Sequence, residues 1–207
     1  MTEKLLAVVP ARKGSRRLPN KNFDKFLGKP LYLRALSQAL SLPSVSKVLF
    51  STDACVGELV IPEGVVIDPR PEHLTQHDSS SQELACYLWR KYATTHTGLL
   101  WLQPTSPLRS RKHIMEAIKL WSGEGSVASC CVGSGGHTRV LYEGMLSEQG
   151  EGNKVNLNGA IYILDPMRVL RHDWVIGAKA YIMPENKSVD IDTAADWSRA
   201  CELMEDV

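Results

Sequence analysis

The sequence predicts an α/β protein: a Rossmann-like, doubly wound, mostly parallel sheet with a short arm over about residues 133–157. Three observations predict it. Short apolar runs bounded by turn residues read as fully buried strands. Segments with apolar residues at helical spacing lie between them, as crossover connections require. The polar, cation-bearing and proline-bearing stretches follow directly after the apolar runs, at the carboxyl ends where open α/β sheets bind their ligands. With 207 residues, 43% of them hydrophobic, the chain can bury one sizeable core, so residues 1–207 are read as one domain.

Leu5 to Val9 is the first strand, and the basic segment Pro10 to Asn22 leaves it. Gly28-Lys29-Pro30 punctuates, after which Leu31, Leu33, Ala35, Leu36, Ala39 and Leu40 form a helical stripe that Pro43 ends. Lys47 to Ser51 and Gly64 to Ile67 are strands, the second stopped by Pro69 and Pro71. Serines 79–81 followed by Glu83 predict a capped helix start, with Leu84, Ala85, Leu88, Trp89 and Tyr92 as a packing face. Gly98 to Leu102 is a strand that delivers the turn Gln103-Pro104-Thr105-Ser106-Pro107-Leu108-Arg109, whose two prolines fix its backbone. A helix from about Lys112 to Trp121 and a strand from Ser126 to Val132 follow. The glycine-rich, polar residues 133–154 predict a mobile excursion. Asn158 to Leu164 and Ala180 to Met183 return to the sheet, and Val189 to Trp197 leads into a closing helix.

A net charge of +1 excludes a general nucleic-acid or membrane-surface binder, which needs a basic excess. The charge is instead polarised. Residues 11–34 carry eight Lys and Arg against Asp24 alone, whereas Asp190, Asp192, Asp196, Glu202, Glu205 and Asp206 cluster near the end. Cys55, Cys86, Cys130, Cys131 and Cys201 show no paired spacing and read as reduced. There is neither a signal-peptide core nor an apolar run of membrane-spanning length, so a cytoplasmic protein is expected.

The segment Pro10 to Asn22 suits a polyphosphate: Gly14 permits close backbone approach, Ser15 adds a hydroxyl, and Arg12, Arg16, Arg17 and Lys21 concentrate cations. A basic surface loop is the plainer alternative. Asp190 and Asp192, two apart in extended backbone, can share a face and hold a hard cation. The alternative is that Asp192 and Thr193 merely cap the last helix. No P-loop, zinc-protease or nucleophile-elbow motif is present, and Gly133-Ser134-Gly135-Gly136 breaks the dinucleotide fingerprint at Thr138. His73, His77, His96, His113 and His172 are assigned no chemistry.

Taken together, the basic loop, Ser51-Thr52-Asp53, Arg70-Pro71, Gln103 to Arg109, Asn158-Gly159-Ala160-Ile161-Tyr162 and Asp190-Ile191-Asp192 resemble, in order, the motifs of the acylneuraminate cytidylyltransferase family. The resemblance implies transfer of CMP from CTP to the anomeric hydroxyl of a nonulosonic acid such as sialic acid, with release of pyrophosphate. It implies Arg12, Lys21 and Asp192 as catalytic residues, and Arg12, Ser15, Arg16, Lys21, Asn22, Arg70, Ser79 and Ser81 around the nucleotide. Gln103, Arg139, Asn158 and Tyr162 would face the sugar acid, and Asp190 and Asp192 would bind Mg2+.

Two departures stand out. Arg16-Arg17 replaces the family's Lys-Gly, and Gly152 to Leu157 lacks its arm arginines, leaving His137, Arg139 and Lys154 as nearby cations. The expectation is therefore an altered sugar of pseudaminic or legionaminic type, and a homodimer with a reduced contact. A 3-deoxy-manno-octulosonate cytidylyltransferase and an inactive nucleotide-binding scaffold are the alternatives.

Overall fold

The computed structural model describes residues 4–76, 78–132 and 137–205, so His77, Gly133 to Gly136 and Asp206 from the sequence reading lie outside the described residues. Its first half runs β1 (Leu5–Ala11), a small hairpin of β2 (Lys25–Phe26) and β3 (Lys29–Pro30), α1 (Leu31–Leu40), β4 (Val45–Thr52) and β5 (Val65–Pro69). Next come α2 (Ser81–Tyr92), β6 (Gly98–Trp101), α3 (Arg111–Trp121) and β7 (Val127–Cys131). The second half holds β8 (His137–Tyr142), β9 (Met145–Ser147), β10 (Asn153–Leu164), α4 (Pro166–Leu170), β11 (Lys179–Ile182) and α5 (Ala194–Glu205).

The sheet is mixed, in the order β5-β4-β1-β6-β10-β7-β11-β9-β8. The expectation of a mostly parallel sheet holds for the block β5-β4-β1-β6. Beyond it the sheet is mixed, because β10 runs antiparallel to both β6 and β7 while β11 runs parallel to β7. The reason lies in the connections: helical crossovers return the chain parallel in the first half, whereas the β8–β9 hairpin leads directly into β10.

Alternation along β1 divides the core. Leu5, Ala7, Val9 and Ala11 pack with α1 and α3 on one face, while Leu6 and Val8 pack with α2 and α4 on the other. The predicted helix starts have a physical basis: Ser80 and Glu83 form a reciprocal capping box on α2, and Ser110 and His113 form another on α3. His113 thus has a structural task.

The mobile excursion predicted for residues 133–154 is corrected for its described part, which forms β8, β9 and the start of β10. Glu143 and Gly144, both at positive φ, make the two-residue turn between β8 and β9. The short α4, capped by Asp165, was not anticipated. Among the described residues no helix is long and apolar enough to cross a membrane.

Candidate active site

β1 ends at Ala11, and the following loop turns back over the carboxyl edge of the sheet. Lys21, 8% exposed, donates from Nζ to the Ile191 carbonyl at 2.7 Å and to Asp192 Oδ1 at 2.5 Å. Arg17 Nη2 reaches the other oxygen of the same carboxylate, also at 2.5 Å. The cationic loop and the late acids therefore meet, although 171 positions separate Lys21 from Asp192.

Strand-like alternation sets up the acidic side. Val189 and Ile191 point into a small core with Phe26, Leu31 and Leu108, which turns Asp190 and Asp192 toward the cleft. Ile191 N–H donates to the Thr105 carbonyl at 2.8 Å, pinning this segment to the proline-fixed turn. Burial pushes the Asp190 carboxyl up, and the neighbouring Asp192 charge adds to this, while a Thr105 hydrogen bond and Lys21 oppose it. Burial also raises Asp196, but hydrogen bonds from Thr193 and the Asp192 amide outweigh it and leave that carboxyl below its ordinary value. The capping work near the last helix therefore falls to Thr193 and Asp196, and Asp190 and Asp192 are left to the cleft.

Two adjoining cavities share Arg17, Gln103, Asp190 and Asp192 as a common wall. The first, about 510 Å³, brings together Arg12, Ser15, Arg16, Lys21, Asn22, Arg70, Ser79 and Ser81. Five cationic side chains face two carboxylates there, which favours a polyanion. Arg12 Nη1 donates to the Gln76 carbonyl at 3.0 Å, and Arg16 has no hydrogen bond or ion pair among the described residues. Asn22 is 7% exposed; its Nδ2 donates to the Arg12 carbonyl, while Oδ1 is buried without a partner. Arg70 Nη2 donates to the Ser51 carbonyl, its Nε is unpartnered, and desolvation lowers its pKa to about 10. Ser79 donates to the His73 carbonyl, and Ser80 between the two named serines also lines the cavity. Leu74, Leu84 and Trp101 add an apolar wall, to which the sequence had assigned no binding role.

The second cavity, about 610 Å³, contains Asn158 and Tyr162 with Gln103. Asn158 sits at an irregularity of β10, beside Gly159 at φ +70°, a bulge that re-aims the strand. Asn158 Oδ1 accepts from Ser129 Oγ at 2.6 Å and its Nδ2 donates to Ser188 Oγ at 2.9 Å. Burial raises the Tyr162 phenol. Arg139 is not brought into either cavity: its Nη1 donates to the adjacent Thr138 carbonyl and its Nε is buried without a partner. Lys154 is absent from both walls as well, whereas His137 lines the second.

Sequence reading missed Arg109 and Arg199 as parts of this arrangement. Arg109 is 2% exposed and donates to the Gln103 and Ala160 carbonyls and to Gln38 Oε1, joining the turn to β10 and α1. Desolvation lowers its pKa to about 9. Arg199 lines the second cavity from α5. The signal for it was present, since it lies three residues after Asp196 on the helix that follows the acids.

A family profile described as Cytidylyltransferase matches residues 6–125. The chain belongs to the cytidylyltransferase family. As such it is 30% identical over 224 residues to the N-acylneuraminate cytidylyltransferase of Escherichia coli, a match covering 99% of this chain and 53% of that protein. It is 29% identical to the CMP-N,N'-diacetyllegionaminic acid synthase of Legionella pneumophila, covering 98% of this chain and 97% of that one. The cytidylyltransferase chain thus spans about half of the first relative and nearly all of the second, in line with the motif resemblance. A CMP:2-keto-3-deoxy-manno-octonic acid synthetase solved with CTP has the same fold, with a TM-score of 0.74 at 17% identity and 99% coverage of both chains.

Proposed function

We propose that this chain is a single nucleotidyltransferase domain that transfers CMP from CTP to the anomeric hydroxyl of a nonulosonic, sialic-acid-like sugar acid. The observation that carries the reading is the meeting of Lys21 and Arg17 with Asp192 on the wall shared by a cation-rich cavity and a second cavity. The helices on both faces of β1 support reading the first half as a Rossmann-like doubly wound unit.

In this reaction the sugar hydroxyl oxygen forms a bond to the α-phosphorus, the bond from that phosphorus to the oxygen bridging to the β-phosphate breaks, pyrophosphate leaves, and the hydroxyl proton is released to water. Arg12 and Arg16 would hold the triphosphate, and Lys21 and Arg17 would turn from Asp192 toward phosphate charge. Asn22, Arg70 and the serines would bind the cytidine, and Gln103, Asn158 and Tyr162 the sugar acid. Catalysis by such groups is mostly positioning and electrostatics.

The residues present fit a magnesium cofactor. Asp190 Oδ1 is a buried oxygen with no partner, in a carboxylate whose burial and like-charged neighbour both favour a nearby cation. Among the described residues no cluster of three or more His, Cys, Asp or Glu is present, so Asp190 and Asp192 would hold the ion together with phosphate and water oxygens. When bound, it would neutralise phosphate charge. A cytoplasmic homodimer completes the proposal, with exposed Tyr142 and Met145 of the β8–β9 hairpin as part of its contact.

The test is pyrophosphate release from CTP and Mg2+ with N-acetylneuraminic, legionaminic, pseudaminic and 3-deoxy-manno-octulosonic acids. Release with a nine-carbon acid is the expected result, and the nearly full-length match to the Legionella synthase favours the legionaminic type. Release with the eight-carbon acid alone moves the function to that substrate. CTP binding without release with any acid leaves a nucleotide-binding scaffold.

A further inference from the structure

The second cavity has a charge problem for the substrate just proposed. A nonulosonic acid is an anion, yet this cavity is lined by four carboxylates, those of Glu185, Asp190, Asp192 and Asp196. Among its cations, Arg17 is paired with Asp192 at 2.5 Å and, in the reaction proposed above, turns to the phosphates and not to the acid. The arm cations Arg139 and Lys154 are not on its wall. What remains is His137 on β8 and Arg199 on α5.

α5 holds Arg199 in a defined register. Ala200 is fully buried, and Trp197 packs edge-on against Phe26 with ring centroids 5.3 Å apart. Those contacts fix one face of the helix to the core beneath the acid segment. Asp196 and Arg199, three apart and so neighbours on the helix surface, are left to line the cavity. Asp196 forms no ion pair with Arg199 among the described residues; its Oδ2 instead accepts from the Thr193 hydroxyl and amide and from the Asp192 amide. Arg199 has no hydrogen bond or ion pair of its own among the described residues. An uncommitted planar guanidinium matches a carboxylate with two parallel N–H donors, and Arg199 brings one to this wall.

We propose that Arg199 is the residue that takes the carboxylate of the sugar acid, in place of the arm cation Arg139. The assignment rests on the reaction proposed above and adds its specificity-determining contact. Arg199 lines only the second cavity, so its contribution falls on the acid and not on CTP.

The test uses the full chain, pyrophosphate release, and two probes: the fastest of the three nine-carbon acids and its methyl ester. In Arg199→Met the KM for the acid should rise by about 10- to 100-fold, the range for hydrogen bonds to charged groups, with the KM for CTP within about twofold of wild type. Arg199→Lys should recover part of the loss. The methyl ester should be a poor substrate for wild type, and Arg199→Met should make it no worse, since both changes remove the same pair. An unchanged KM for the acid, equal penalties on acid and ester, or a matching rise in the KM for CTP would overturn the assignment. Wild type that releases no pyrophosphate with any nine-carbon acid instead overturns the underlying reaction, and that result is visible before any variant is made.

Discussion

The two cavities differ in how their walls are assembled. The first is built largely from contiguous stretches: residues 10–22 supply four of its five cations and residues 79–81 three of its four serines. The second draws on β8, β10, the acid segment and α5, which meet only because β10 bulges at Asn158-Gly159 and α5 docks under the acids. A site made from one loop can be read from local composition, whereas a site made from an antiparallel return and a helix face depends on packing.

The shared wall should break both cavities at once and give the largest effect. Asp192→Asn keeps the shape but removes the charge that Lys21 and Arg17 hold between them. Turnover should fall by about 10²-fold or more, comparable to losing one preorganised electrostatic group, while the melting temperature changes little. Retention of full pyrophosphate release would remove Asp192 from the chemistry.

Arg70→Gln separates the cavities, because Arg70 lines the first and not the second. Its guanidinium is desolvated and offers an unpartnered Nε. The KM for CTP should rise by about tenfold or more, with the KM for the sugar acid nearly constant. Initial rates over a grid of both substrates check this.

The same contrast explains what the sequence made legible. Leu5 to Val9 announced β1 by unbroken apolar character, and Ser80 with Glu83 announced α2 by a cap whose chemistry is local. Asp190 and Asp192 were recognisable because period-two alternation lies in the sequence itself. The antiparallel placement of β10 was not legible, since its direction follows from which strand it pairs with. Residues 137–154 misled because polarity and glycine suggest an irregular path, yet Glu143-Gly144 is a tight turn that folds β8 onto β9. Arg139 was expected at the sugar acid as a remaining cation of the arm, by the family resemblance; on β8 it is not among the residues lining the cavity, although its charge acts on Tyr162, which is. Arg109 looked like one more cation of a polar turn and is in fact a buried clamp, satisfied by neutral oxygens.

Asp190 sharpens the comparison through stability. Its folded carboxyl is raised by burial, so the folded state holds its proton more tightly than the unfolded chain does. Stability from that proton is present below the ordinary carboxylate range and is lost as pH rises through the raised value. At neutral pH the ligand-free protein therefore bears the cost of a desolvated charge, and Asp190→Asn should melt higher than wild type there. The advantage should shrink as pH falls and vanish once both forms are neutral. Mg2+ with CTP should raise the wild-type melting temperature more than that of the variant.

The smallest effect should come from Gly159→Ala, at a residue that lines the second cavity and not the first. Gly159 sits at φ +70°, where a side chain costs about 1–2 kcal/mol, and an added Cβ would lie 3.4 Å from Gln103 Nε2. That contact is tight but falls on the end of a flexible side chain, so the fold should survive with a melting temperature lower by a few degrees. The displaced Gln103 amide lies on the wall common to both cavities, yet the strain enters from β10, so the KM for the sugar acid should rise before that for CTP. Equal rises in both constants would mean that the shared wall moves as one body and that the two cavities are not separable at Gln103.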